Sequence, residues 1–100
     1  MAYRRARTDY PEGVIAIYDN GGRTTDRYTV VYEPENRLGI DIFSWTYMSA
    51  DPFYPQGVCI HDSGTLRPYS GWGTGSRDKV ITFEDLPGSC QRAVRQDLED

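Results

Sequence analysis

Two β-branched runs, Val14-Ile15-Ala16-Ile17-Tyr18 and Arg27-Tyr28-Thr29-Val30-Val31-Tyr32, flank the turn-forming stretch Asp19-Asn20-Gly21-Gly22. Asn and Gly tolerate the positive φ of a tight reversal, and Val, Ile, Thr and Tyr favour a pleated backbone. Residues 14–32 therefore read as an antiparallel hairpin with its loop extended over Arg23 to Asp26. The runs that follow extend this hairpin into a sheet. Glu33-Pro34-Glu35-Asn36 reads as the next turn and Leu38 to Tyr47 as a long third strand. Its alternation puts Phe43, Trp45 and Tyr47 on one face and Ile40, Ile42, Ser44 and Thr46 on the other.

Beyond Met48 the two prolines Pro52 and Pro55 remove ladder donors, so the stretch to Gln56 reads as a loop. Val58-Cys59-Ile60-His61 carries a short fourth strand. Pro68, Gly71, Gly73 and Gly75 make Arg67 to Asp78 a long loop, and Lys79-Val80-Ile81-Thr82-Phe83 forms a last strand. Glu84-Asp85-Leu86-Pro87 then opens a helix with acids near the positive end of its dipole. Leu86, Cys90, Ala93, Val94 and Leu98 recur at helical spacing. The predicted architecture is α+β: a four- to five-stranded antiparallel sheet with strands near residues 14–18, 27–32, 38–47, 57–61 and 79–83. One C-terminal amphipathic helix near 87–98 packs on one face, with the stripe Phe43, Trp45, Tyr47 as core beneath it. One hundred residues suffice for a single core, so residues 1–10 read as a basic N-terminal tail and 11–100 as one domain.

Charge narrows the function classes. Three of the eleven Lys and Arg lie in the first seven residues, leaving eight against fifteen Asp and Glu over residues 8–100, a net −7. Over residues 9–62 nine acids face three arginines, a net −6. Such a body repels phosphate, so direct nucleic-acid binding by the domain is not expected, and a host protein with a basic surface is the favoured partner. An acidic surface also serves plain solubility. No apolar run approaches the ~20 residues of a membrane span. Thr8-Asp9-Tyr10-Pro11 follows the basic start where a signal peptide would turn apolar, so the expected location is cytoplasmic.

Catalytic and metal readings are thin. Cys59 and His61 alternate on a predicted strand and suggest a thiolate pair or two metal ligands, with Cys90 or Asp62 as further donors, but two ligands do not make a site. A half-buried strand with a small apolar Cys and a surface His is the favoured account of them. Asp26 and Asp41 could face each other across neighbouring strands. Gly71-Trp72-Gly73-Thr74-Gly75-Ser76 has the composition of a phosphate loop without its Lys-Ser/Thr ending. No cofactor and no metal are expected. The stripe Phe43, Trp45, Tyr47 could stack bases only in a positive field, which this segment lacks.

The runs from Val14 to Tyr32, Met48-Ser49-Ala50-Asp51-Pro52 with Pro55-Gln56-Gly57, and Ile81-Thr82-Phe83-Glu84-Asp85-Leu86-Pro87 resemble a family of small uncharacterised proteins of bacteria and their phages and plasmids. That resemblance implies a protein of a mobile element acting on host machinery, as anti-CRISPR inhibitors do; it brings no catalytic residue. The expected function is non-enzymatic protein–protein contact. Asp19, Asp26, Glu33 and Glu35 would engage Arg and Lys groups otherwise used for phosphates, while Tyr54, Tyr69 and Trp72 would act as apolar anchors. The alternatives are a small hydrolase or thiol-dependent enzyme using Cys59 and His61, and a self-associating structural protein, a homodimer formed through an exposed strand edge.

Overall fold

The computed structural model describes residues 9–23, 26–51, 53, 56–65 and 79–99, with the backbone alone for 56–62. Its elements are β1 (Val14–Asp19), β2 (Tyr28–Tyr32), β3 (Glu35–Arg37), β4 (Ile40–Met48), β5 (Gln56–Gly64), β6 (Lys79–Val80) and α1 (Gly88–Glu99). Every strand pairing is antiparallel. β1 lies between β6 and β2, and β4 takes β2 and β3 end to end along one edge and β5 along the other. The fold is α+β, as predicted, with an open antiparallel sheet and a C-terminal helix. Among the described residues no helix is long and apolar enough to cross a membrane.

The first hairpin forms as its sequence dictates, with Asp19 opposite Tyr28 and Ile17 opposite Val30. A bulge separates Val14, opposite Tyr32, from Ala16, opposite Val31. The extra residue, Ile15, lets Ile15 and Ala16 share one face while Val14 and Ile17 share the other. The sheet consequently has two buried faces. Val14, Ile17, Tyr28, Val30 and Met48 pack against Phe83, Leu86, Cys90, Ala93 and Val94 of the C-terminal segment. Each fully buried Val or Ile contributes roughly 1.5–3 kcal/mol relative to exposure. Ile15, Ala16, Tyr18, Val31 and Trp45 form the opposite cluster, with Phe43 and Tyr47 against it.

The aromatic stripe therefore lies on the face away from α1, not beneath it. Parity along β4 is as predicted, but the helix packs on the face of Thr46 and Met48, where the buried side chains are smaller or more pliable. Trp45 Nε1 instead donates to Tyr47 Oη along the strand at 2.9 Å.

A second correction concerns the turn expected at Glu33–Asn36. The chain continues through it as β3 and reverses at Leu38–Gly39, where φ is 54° and 83°. Arg37 opposes Ile40, so two residues with positive φ close a type I′ hairpin. Asn36 locks it: its Oδ1 accepts from Gly39 N at 3.2 Å and its Nδ2 donates to Asp41 Oδ1 at 2.9 Å. Between the pairs Val31–Trp45 and Glu35–Ile42, residues 32–34 face only 43 and 44. Pro34 thus sits in a bulge, where a missing N–H costs no ladder bond.

The predicted strand at 79–83 is shorter. β6 ends at Val80, Ile81 N still bonds Ile17 O at 3.0 Å, and the chain then turns. Thr82 N donates to Asp85 Oδ2 at 3.0 Å and Asp85 N to Thr82 Oγ1 at 3.2 Å, so Glu84 and Asp85 belong to this turn rather than to the first turn of α1. Tyr10 ties the entry of the chain to the sheet. Its hydroxyl donates to Ile81 O at 2.7 Å and accepts from Ile17 N at 3.3 Å. At the far end of α1, Tyr32 Oη donates to Asp97 Oδ2 at 2.9 Å, and burial together with this carboxylate pushes the phenol pKa far up, so the hydroxyl keeps its proton.

Candidate protein-binding site

Because β2 and β3 lie end to end along β4, the four predicted carboxylates fall at opposite ends of the sheet. Asp19 and Asp26 flank the β1–β2 loop, and Glu33 and Glu35 start the β3–β4 hairpin. Asp26 and Glu33 are separated by about 23 Å of extended chain at ~3.3 Å per residue. They form two acidic ends, not one patch, and Asp41, paired across from Asn36, does not face Asp26.

At the loop end Asp19 is committed within the chain. Arg27 Nε and Nη2 reach its two oxygens at 2.8 and 3.1 Å, and Gly21 N donates to Oδ1 at 2.7 Å. The hydrogen bond from Arg27 is the main cause of a carboxyl pKa below the ordinary value, with Gly21 N and the charge of Lys79, its partner on β6, acting the same way against burial. The Arg27 guanidinium also lies over the Tyr28 ring at 5.3 Å. Asn20 organises the loop: Oδ1 accepts from Gly22 N and Arg23 N at 2.9 and 3.0 Å, and Nδ2 donates to the half-buried Asp26 at its carbonyl, 3.2 Å away. The arrangement is that of a well-tied loop.

The hairpin end differs. Residues 35–41 are all exposed, so β3, the turn and the start of β4 stand clear of the core as a two-stranded finger. Among the described residues Glu35 pairs only with Arg37, at 3.2 Å, with both side chains about two-thirds solvent-accessible, a contact of ~0–1 kcal/mol. Glu33 is half-buried at the base, where its N–H bonds Gly13 O at 2.8 Å. Gly13 itself has φ 101°, and a Cβ there would meet Leu98 Cδ2 at 2.7 Å. Leu38, at the tip, is fully exposed and Ile40 is 53% exposed. An L-residue other than Asn or Asp in the left-handed region costs about 1–2 kcal/mol, and among the described residues the fully exposed Leu38 has no compensating apolar contact.

Sequence reasoning missed Leu38, Ile40 and the exposed Phe53, whose N–H bonds Asp51 Oδ1 at 2.9 Å. The signal for the tip was the Leu-Gly step between Arg37 and Ile40, masked by a strand assignment that began at Leu38. Tyr54, Tyr69 and Trp72, the predicted anchors, lie outside the described residues, as do the 1–8 segment and the Gly-rich stretch 71–76.

The thiol reading gains no geometry. His61 is placed on β5 opposite Thr46, and Cys59 falls in the irregular stretch between that pair and Met48–Gln56. Cys90 is fully buried, donates to Ser49 O at 3.1 Å, and burial pushes its thiol pKa up, the reverse of an activated thiolate. Among the described residues no group of three or more His, Cys, Asp or Glu is placed to hold a metal ion. No protein-family model, curated protein or solved structure matches this chain.

Proposed function

We propose that this chain is a non-enzymatic binding protein that modulates a host nucleic-acid-handling protein by direct contact, in the manner of an anti-CRISPR inhibitor. The contact surface is the finger: Leu38 enters an apolar pocket, while Glu33, Glu35 and Asp41 meet Arg and Lys groups that otherwise hold phosphates. The observation that supports it is Leu38, an apolar side chain in fully exposed, positive-φ backbone, since backbone strain kept without an internal return is characteristic of functional positions. An exposed Leu on a finger that also carries Glu33, Glu35 and Asp41 against the single cation Arg37 fits a basic protein surface better than an anionic membrane, which those carboxylates would repel. The kind of protein engaged rests on the acidic charge and on the resemblance.

The test is capture from bacterial lysate with the wild type and two variants, Leu38→Ser and Glu33→Lys/Glu35→Lys, followed by elution with a competing oligonucleotide. The expected result is a basic nucleic-acid-handling protein retained by the wild type, displaced by the oligonucleotide, and lost with both variants. Equal capture by all three proteins would end the proposal.

A further inference from the structure

We infer that β3 is a self-complementary edge through which a second copy of this chain pairs, joining two fingers into a four-stranded antiparallel ribbon. The hydrogen-bonding parity comes first. Arg37 and Ile40 close a two-residue hairpin, so they and the Glu35–Ile42 pair exchange the ladder bonds between β3 and β4, and the intervening Asn36–Asp41 pair does not. The N–H and C=O of Asn36 consequently point away from β4. Among the described residues β3 pairs with β4 alone, and residues 35–37 are exposed, so this edge is open to another strand.

Charge then selects the occupant. If two β3 edges pair antiparallel about a two-fold axis at Asn36, the two Asn36 backbones exchange both hydrogen bonds. Glu35 of each copy then lies opposite Arg37 of the other, in the non-hydrogen-bonded register where side chains are closest. The tripeptide Glu35-Asn36-Arg37 is thus a charge palindrome that satisfies itself. The finger's other edge, on β4, is as exposed at residues 40 and 41 but fails the same test, because a two-fold there would set Asp41 against Asp41 of the second copy. The two intrachain Glu35–Arg37 contacts, one in each copy, are exchanged for two such contacts between copies, now in directly opposed cross-strand positions. The two-fold leaves the Leu38–Gly39 turns at opposite ends of the ribbon. This inference does not rest on the contact with a host protein proposed above.

Sedimentation velocity on the full chain, from about 10 µM to about 1 mM, reads the association over the range expected for a short edge. The wild type should show a reversible, concentration-dependent dimer. Glu35→Arg and Arg37→Glu should each weaken it roughly tenfold or more, since symmetry converts both cross-strand pairs to like charges at once. Combining Glu35→Arg with Arg37→Glu should restore it, because the swapped pair is again complementary. Both substitutions are at exposed positions, so circular dichroism of all three variants should match the wild type. A wild type monomeric throughout, a dimer indifferent to the single reversals, or a double variant no tighter than the singles would each overturn the inference.

Discussion

Leu38→Asn should make the protein more stable. At φ 54° the Leu Cβ crowds its own carbonyl, a strain of about 1–2 kcal/mol that Asn largely avoids, and Asn-Gly is the preferred pair for a type I′ turn. Because the Leu38 side chain is fully exposed, removing it forfeits no buried apolar surface and leaves no cavity. The net gain is therefore about 1 kcal/mol, which for a domain of this size raises Tm by about 4–8 °C. Urea unfolding followed by circular dichroism, at a concentration low enough to keep the chain monomeric, measures it directly. A loss of more than about 0.5 kcal/mol would refute the reasoning, because it would require Leu38 to be packed in solution. The same variant should bind its partner more weakly, so stability and binding move in opposite directions at this position.

Tyr10→Phe strands Ile81 O and Ile17 N, one of them deeply buried, and should cost about 1–3 kcal/mol in chemical denaturation; an unchanged midpoint would mean that water replaces the hydroxyl. Gly13→Ala places a Cβ 2.7 Å from Leu98 Cδ2 at φ 101° and should destabilise by more than about 1 kcal/mol, with the end of α1 loosened in hydrogen exchange. The depressed carboxyl pKa of Asp19 means that its contribution is present above the unfolded value near 3.8 and is lost as pH falls through the lower folded value. Asp19→Asn should therefore lower stability at neutral pH and flatten the acid limb of a stability–pH profile; a limb as steep as that of the wild type would contradict the Arg27 pairing.

Different parts of this fold were legible to different degrees. The first hairpin was readable because local propensity and turn chemistry agree from Val14 to Tyr32, and α1 because Leu86, Cys90, Ala93, Val94 and Leu98 repeat at helical spacing. The reversal at Leu38–Gly39 was not, since Leu opposes the backbone it adopts while Pro34 advertises a turn that the structure uses as a bulge. Alternation showed that Phe43, Trp45 and Tyr47 share a face. Nothing local says which face a distant helix will cover, and that choice came from the packing of Met48 and Val30 against Val94. The acidic character of the candidate site was plain from composition. Its division between two ends of the sheet was hidden, because a carboxylate's position depends on strand length and register rather than on spacing in the chain.

The role of the finger is tested most directly by photo-crosslinking in bacterial cells, with a reactive side chain placed at position 38 in one protein and at exposed Arg23, in the loop at the opposite end of the sheet, in another. A specific adduct with a basic nucleic-acid-handling protein from position 38, absent from position 23 and lost on charge reversal of Glu33 and Glu35, is the expected result. Adducts forming from position 23 and not from position 38 would contradict it.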